Sequence, residues 1–88
     1  MTTNKNPFDR ATHPEHRDLW NVIANGTRTE QTEAWAFAQG QLRGLHTADV
    51  DGIIGAMLDA GVVRSTVIDG GEYGYLPGLV RVPDPEAL

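Results

Sequence analysis

Eighty-eight residues are enough for one small domain and too few for two, and so small a core gains stability from any partner surface that covers it. The absence of cysteine excludes a disulfide scaffold, thiolate metal ligands and thiol catalysis, and no apolar run is long enough to span a membrane. Seven Lys and Arg against twelve Asp and Glu give a net charge of −5, a balance that disfavours binding to phosphate backbones.

Met1 to Ala11 is polar and aperiodic and lacks the hydrophobic stretch of a signal peptide, so residues 1–11 read as a flexible arm of a cytoplasmic protein. Residues 12–83 read as the domain and 84–88 as a C-terminal tail. Thr12-His-Pro-Glu15 offers a helix start with Thr12 or His13 as cap, because Pro14 disfavours helical dihedrals at His13. His16, Leu19, Trp20 and Ile23 share one face of this first helix, and Asn25-Gly26 closes it. Thr27 to Thr29 has room for a two- or three-residue strand. Thr29, followed by Glu30, Gln31 and Glu33, predicts a second helix from near Glu30, with Trp35, Ala38, Leu42 and Leu45 as its apolar face. Gly40 and Gly44 weaken that helix and place its end between Gln39 and Arg43.

The strongest periodicity follows. Thr47 is expected as a cap and Asp49 in the first turn, and Val50, Ile53, Ile54, Met57 and Leu58 form a buried stripe that ends at Gly61. This stripe should pack against Leu19, Ile23, Trp35 and Leu42. From Val62 the composition turns β-branched through Ile68, then reads Asp69-Gly-Gly71 and Tyr73-Gly-Tyr75-Leu76, which predicts a hairpin over residues 62–76. Pro77-Gly78 should stop or bend its second strand, leaving Leu79 to Val82 for a short edge strand.

Three helices followed by a hairpin, with the third helix running through Gly61-Val-Val63 into a strand, resemble the winged helix-turn-helix family over residues 32–75. Leu42-Arg-Gly-Leu45 is similar to the end of its first motif helix, Thr47 to the cap of its recognition helix, and Asp69 to Tyr75 to its wing. The resemblance implies an α+β fold, a three-helix winged-helix-like domain with a C-terminal β-hairpin wing. It also implies DNA binding, with the third helix in the major groove and the wing on the backbone.

The residues of that helix depart from the pattern. At about 100° per residue, Ala48, Gly52, Gly55, Ala56 and Asp59 fall opposite the apolar stripe, and none reads a base edge. From Thr47 to Gly61 there is no Arg, Lys, Asn or Gln, while Asp49, Asp51 and Asp59 would repel phosphates. Two helix-interior glycines each cost roughly 1 kcal/mol against alanine, so they either make room for Trp20 or Trp35 or offer a flat surface to another chain. The charge is divided in the same sense. Residues 1–29 set Lys5, Arg10, Arg17 and Arg28 against Asp9, Glu15 and Asp18, a balance of +1, whereas residues 30–88 set Arg43, Arg64 and Arg81 against nine acids, −6.

Other chemistry finds little support. His13 and His16 have a spacing that can share a metal, but no third ligand stands near them in sequence, and His46 reads as a turn residue. Ser65 is the only serine and has no base beside it, and Gly70-Gly71 is followed by Glu72 and not by a helix. Trp20 and Trp35 read as core residues, and Tyr73 and Tyr75 as either the packing face of the hairpin or exposed anchors.

The expectation is a non-enzymatic regulatory or accessory module, without cofactor or small-molecule substrate, that binds another protein or a second copy of itself. Its contact residues would be Ala48, Asp49, Gly52, Gly55, Ala56, Asp59, Glu72 and Tyr73. Its size and composition would suit a phage or plasmid accessory factor. The alternative is a dimeric DNA-binding transcriptional regulator that uses Lys5, Arg10, Arg28, Arg43, Thr47 and Arg64.

Overall fold

The computed structural model describes residues 13–83; the expected arm and tail lie outside them. The elements are α1 (Pro14–Gly26), β1 (Gln31–Thr32), α2 (Glu33–Leu42), α3 (Thr47–Asp59), β2 (Val63–Asp69), a 3-10 turn (Gly71–Tyr73) and β3 (Tyr75–Arg81). The three helices are joined by one antiparallel sheet with the spatial order β1-β3-β2.

Each helix end has a local cause. His13 is the extended cap of α1 and Pro14 occupies its first turn, where a missing N–H costs nothing. α2 begins later than the sequence suggested. Thr32 and not Thr29 is its cap, accepting a hydrogen bond from the Trp35 N–H at 3.1 Å. The delay has a tertiary reason: Gln31 and Thr32 pair with Leu79 and Gly78, which keeps them extended. The short strand consequently lies at Gln31–Thr32 and not within Thr27 to Thr29. At α3 the cap is His46, whose N–H donates to the Asp49 carboxylate at 3.3 Å. Thr47 is the first helical residue, which corrects its expected role as cap.

α2 and α3 both end on a left-handed glycine. Gly44 (φ 73°) donates to the Gln41 carbonyl and Leu45 to the Gly40 carbonyl. Gly61 (φ 74°) repeats the arrangement, with its N–H on the Leu58 carbonyl and that of Val62 on the Met57 carbonyl.

In the hairpin Val63 pairs with Arg81 and the register continues without a slip to Asp69 opposite Tyr75. β3 does not stop at Pro77-Gly78, and no separate strand starts at Leu79; the strand runs through both and lies in the middle of the sheet. The ladder phase explains why proline is tolerated there. The Gly70 N–H donates to the Gly74 carbonyl and the Val82 N–H to the Val62 carbonyl, so the intervening hydrogen-bonded pairs are 64/80, 66/78 and 68/76. Pro77 therefore turns its nitrogen away from β2, on a side where β1 reaches only Gly78 and Leu79.

The core contains Leu19, Trp20, Ile23 and Ala24 of α1, Ala36 of α2, Val50, Ile53, Ile54, Ala56 and Met57 of α3, and Val63 and Leu79 of the sheet. Trp35, Phe37, Leu45 and Val62 pack against it from the edge. Three residues expected on the apolar faces lie elsewhere: Ala38 is exposed, Leu42 is 78% exposed and Leu58 37%. α2 turns Ala36 and Gly40 inward, because Gly40 lets Val50 of α3 approach its backbone, and this carries Ala38 and Leu42 into solvent. The buried arc of α3 is rotated by roughly 40° toward Ala56 and away from Leu58, at about 100° per residue.

Candidate functional site: the outward face of α3 and the hairpin

α3 leads through Gly61 into β2, so the C-terminal end of the helix adjoins the N-terminal end of the hairpin. Ala48, Asp51 and Asp59 are exposed on the helix, while Asp49, Gly52 and Gly55 are half-buried. Ala56 is buried in the core and drops out of the expected contact strip, a consequence of the rotated arc. A Cβ added to Gly55 would meet nothing within 4 Å, so no neighbour in the fold requires a glycine there. Gly26, outside α3, does accommodate a tryptophan: a Cβ there would come within 2.6 Å of Cζ2 of Trp35.

Cross-strand partners share a sheet face, so Val63, Ser65, Val67 and Asp69 of β2 lie on the same side as Tyr75, Pro77 and Leu79 of β3. Near the helices this side is core: Val63 and Leu79 are buried. Four residues further, roughly 13 Å along the strand, the same side is bare. Val67 is 65% exposed, Tyr75 77%, and Tyr73 in the turn 81%. The tyrosines are thus exposed, the second of the two roles open to them. The opposite side of the hairpin covers itself. Ile68 lies across Gly78, its Cδ1 at 2.5 Å from where a Cβ would stand, and Leu76 lies beside Gly70. Across this side Thr66 Oγ1 donates to the Glu30 carboxylate at 3.2 Å. Glu72 is exposed beside Tyr73, and the Asp69 carboxylate accepts from the Gly71 N–H at 2.9 Å and shapes the turn.

Val67, Tyr75 and Leu58 are the exposed apolar residues that sequence reasoning did not place at the site. Alternation along β2 groups Val67 with Val63, but only the position of the helices decides that one is covered and the other is not.

Of the expected DNA-contact residues, Arg43 is engaged within the fold. Arg43 Nε pairs with the Asp18 carboxylate at 2.5 Å, and its Nη1 donates to the Gln39 carbonyl at 2.9 Å, so its guanidinium ties α2 to α1. Thr47, Arg28 and Arg64 are exposed, and Lys5 and Arg10 lie outside the described residues. Arg81 is committed within the fold, donating to the Ala24 carbonyl at 3.3 Å.

His13 and His16 stack edge to face with ring centroids 4.9 Å apart at the start of α1. Among the described residues no three His, Asp or Glu side chains are grouped as a metal ion would require, and no helix is long and apolar enough to cross a membrane. No family model, curated protein or solved structure matches this chain.

Proposed function

We propose that this chain is a winged-helix-like, non-enzymatic regulatory or accessory module that works in the cytoplasm through protein contact, using the outward face of α3 and the hairpin. The observation that carries the reading is the bare apolar side of the hairpin, where Val67 and Tyr75 stand in solvent, with Tyr73 exposed in the adjoining turn, on a domain whose core is small. The acidic and side-chain-poor face of α3 supports the same reading: Ala48, Asp49, Gly52, Gly55 and Asp59 offer close approach and negative charge, and no side chain suited to a base edge. The order helix, strand, helix, helix, strand, strand suits a winged-helix arrangement, in which the hairpin is the wing.

The test compares the wild type with Tyr73→Ser/Tyr75→Ser and Gly52→Gln. Each variant should keep the fold and lose association, with itself or with a protein retained from its native cell extract. Selection from a random duplex library should return no enriched motif. Recovery of a palindromic motif, with binding lost on changing Thr47 or Arg64, would replace this reading by that of a DNA-binding regulator.

A further inference from the structure

The bare hairpin side lies next to a second unsatisfied feature, the outer edge of β2. The ladder phase that turns Arg64, Thr66 and Ile68 toward β3 turns the N–H and C=O groups of Val63, Ser65, Val67 and Asp69 away from it. Among the described residues no strand pairs with that edge. Edge strands in monomeric proteins are usually guarded by charged side chains, lysine above all, or by proline, a bulge or short length, whereas the charges of β2 stand near its two ends, at Arg64 and Asp69, and leave Ser65 to Ile68 uncharged. β2 has seven residues, pairs without a bulge, and contains neither lysine nor proline.

Its charges are arranged for its own copy. The N-terminal end of β2 carries the exposed Arg64, while the C-terminal end carries Asp69 and leads to Glu72, both exposed acids. Antiparallel pairing of two β2 strands about a two-fold axis brings the end of each that carries Arg64 alongside the end of the other that carries Asp69, twice; the two side chains lie on opposite faces of the sheet, so the attraction acts between strand ends and not as a side-chain pair. Outward-facing residues must meet outward-facing residues, and an axis through Thr66 does this along the whole strand, with Ser65 opposite Val67 of the second copy and Val63 opposite Asp69. It also joins the bare sides of the two hairpins, Val67, Tyr75 and Pro77 from each, into one apolar surface on the same side of a six-stranded sheet.

We propose that the chain forms a two-fold dimer by antiparallel pairing of β2 with β2 of a second copy. The proposal rests on the protein-contact reading above and specifies one contact within it.

Sedimentation across a concentration series, together with amide hydrogen exchange, tests it on the full chain. The wild type should dimerise, and association should weaken as salt is raised. The Ser65, Val67 and Asp69 amides should exchange slowly only where dimer is populated, with Thr66 and Ile68 protected throughout as internal controls. Ser65→Pro removes an outward N–H and no ladder bond within the domain, so it should weaken association at least about tenfold and preserve the fold. Val67→Lys, which supplies an edge guard, should do the same by a different route and serves if the proline variant unfolds. A monomeric wild type would overturn the proposal, and so would a dimer whose Ser65, Val67 and Asp69 amides exchange freely. Protection of those amides in the dilute monomer would show that another part of the chain covers the edge, and would also overturn it. None of these results removes the broader contact reading, which fails on an enriched DNA motif.

Discussion

Val50 of α3 occupies the space that a side chain on Gly40 of α2 would need, and Leu19 of α1 closes the same space from behind, with its Cδ2 3.6 Å from the missing Cβ. One glycine thus sets the approach of all three helices. Gly40→Ala improves helix propensity yet forces Val50 aside. It should lower stability by about 1–3 kcal/mol, read from a urea denaturation midpoint at unchanged slope.

Gly55 supplies the opposite case. It is also a helix-interior glycine, but open space surrounds its missing Cβ. Gly55→Ala should raise stability by up to about 1 kcal/mol, measured on the dilute protein. A loss would mean that something covers the position.

Ile53 is fully buried and Leu58 only partly so, although both belong to the apolar stripe of α3. Ile53→Ala should cost about 2–5 kcal/mol, a large share of the stability of so small a domain, and Leu58→Ala at most about half as much. Equal losses in thermal or urea denaturation would contradict the rotated arc.

The hydrogen bond from the Trp35 N–H to Thr32 Oγ1 holds the start of α2 in place. Thr32→Ala should cost about 1 kcal/mol, and Thr32→Asp should recover most of it. Thr29→Ala should cost markedly less, because Thr29 is exposed and does not cap α2. Thermal denaturation of the three variants distinguishes the two threonines.

Parts of this arrangement were legible in the sequence because their causes are local. The αL glycines at Gly44 and Gly61 end their helices through bonds to carbonyls within the preceding turns. The i, i+3, i+4 spacing from Val50 marks a helix with one buried side, and Asp69-Gly-Gly71 marks the reversal between two β-branched or aromatic runs. None of these needs a distant residue.

What only the tertiary structure decided depends on partners far along the chain. Thr29 and Thr32 are both competent caps, and the choice fell to Thr32 because its neighbour Gln31 pairs with Leu79. The side of α3 that is buried was set by Gly40 and Val50 meeting across two helices, which removed Ala56 from the contact strip and exposed part of Leu58. Pro77 looked like a break because proline lacks an N–H, and it became a strand residue because its nitrogen points where no strand lies. Val63 and Val67 are the same residue type in the same strand with the same alternation. The core buries one and leaves the other in water, because the helical layer ends between them, and that boundary is a property of the packed domain and not of any segment of its sequence.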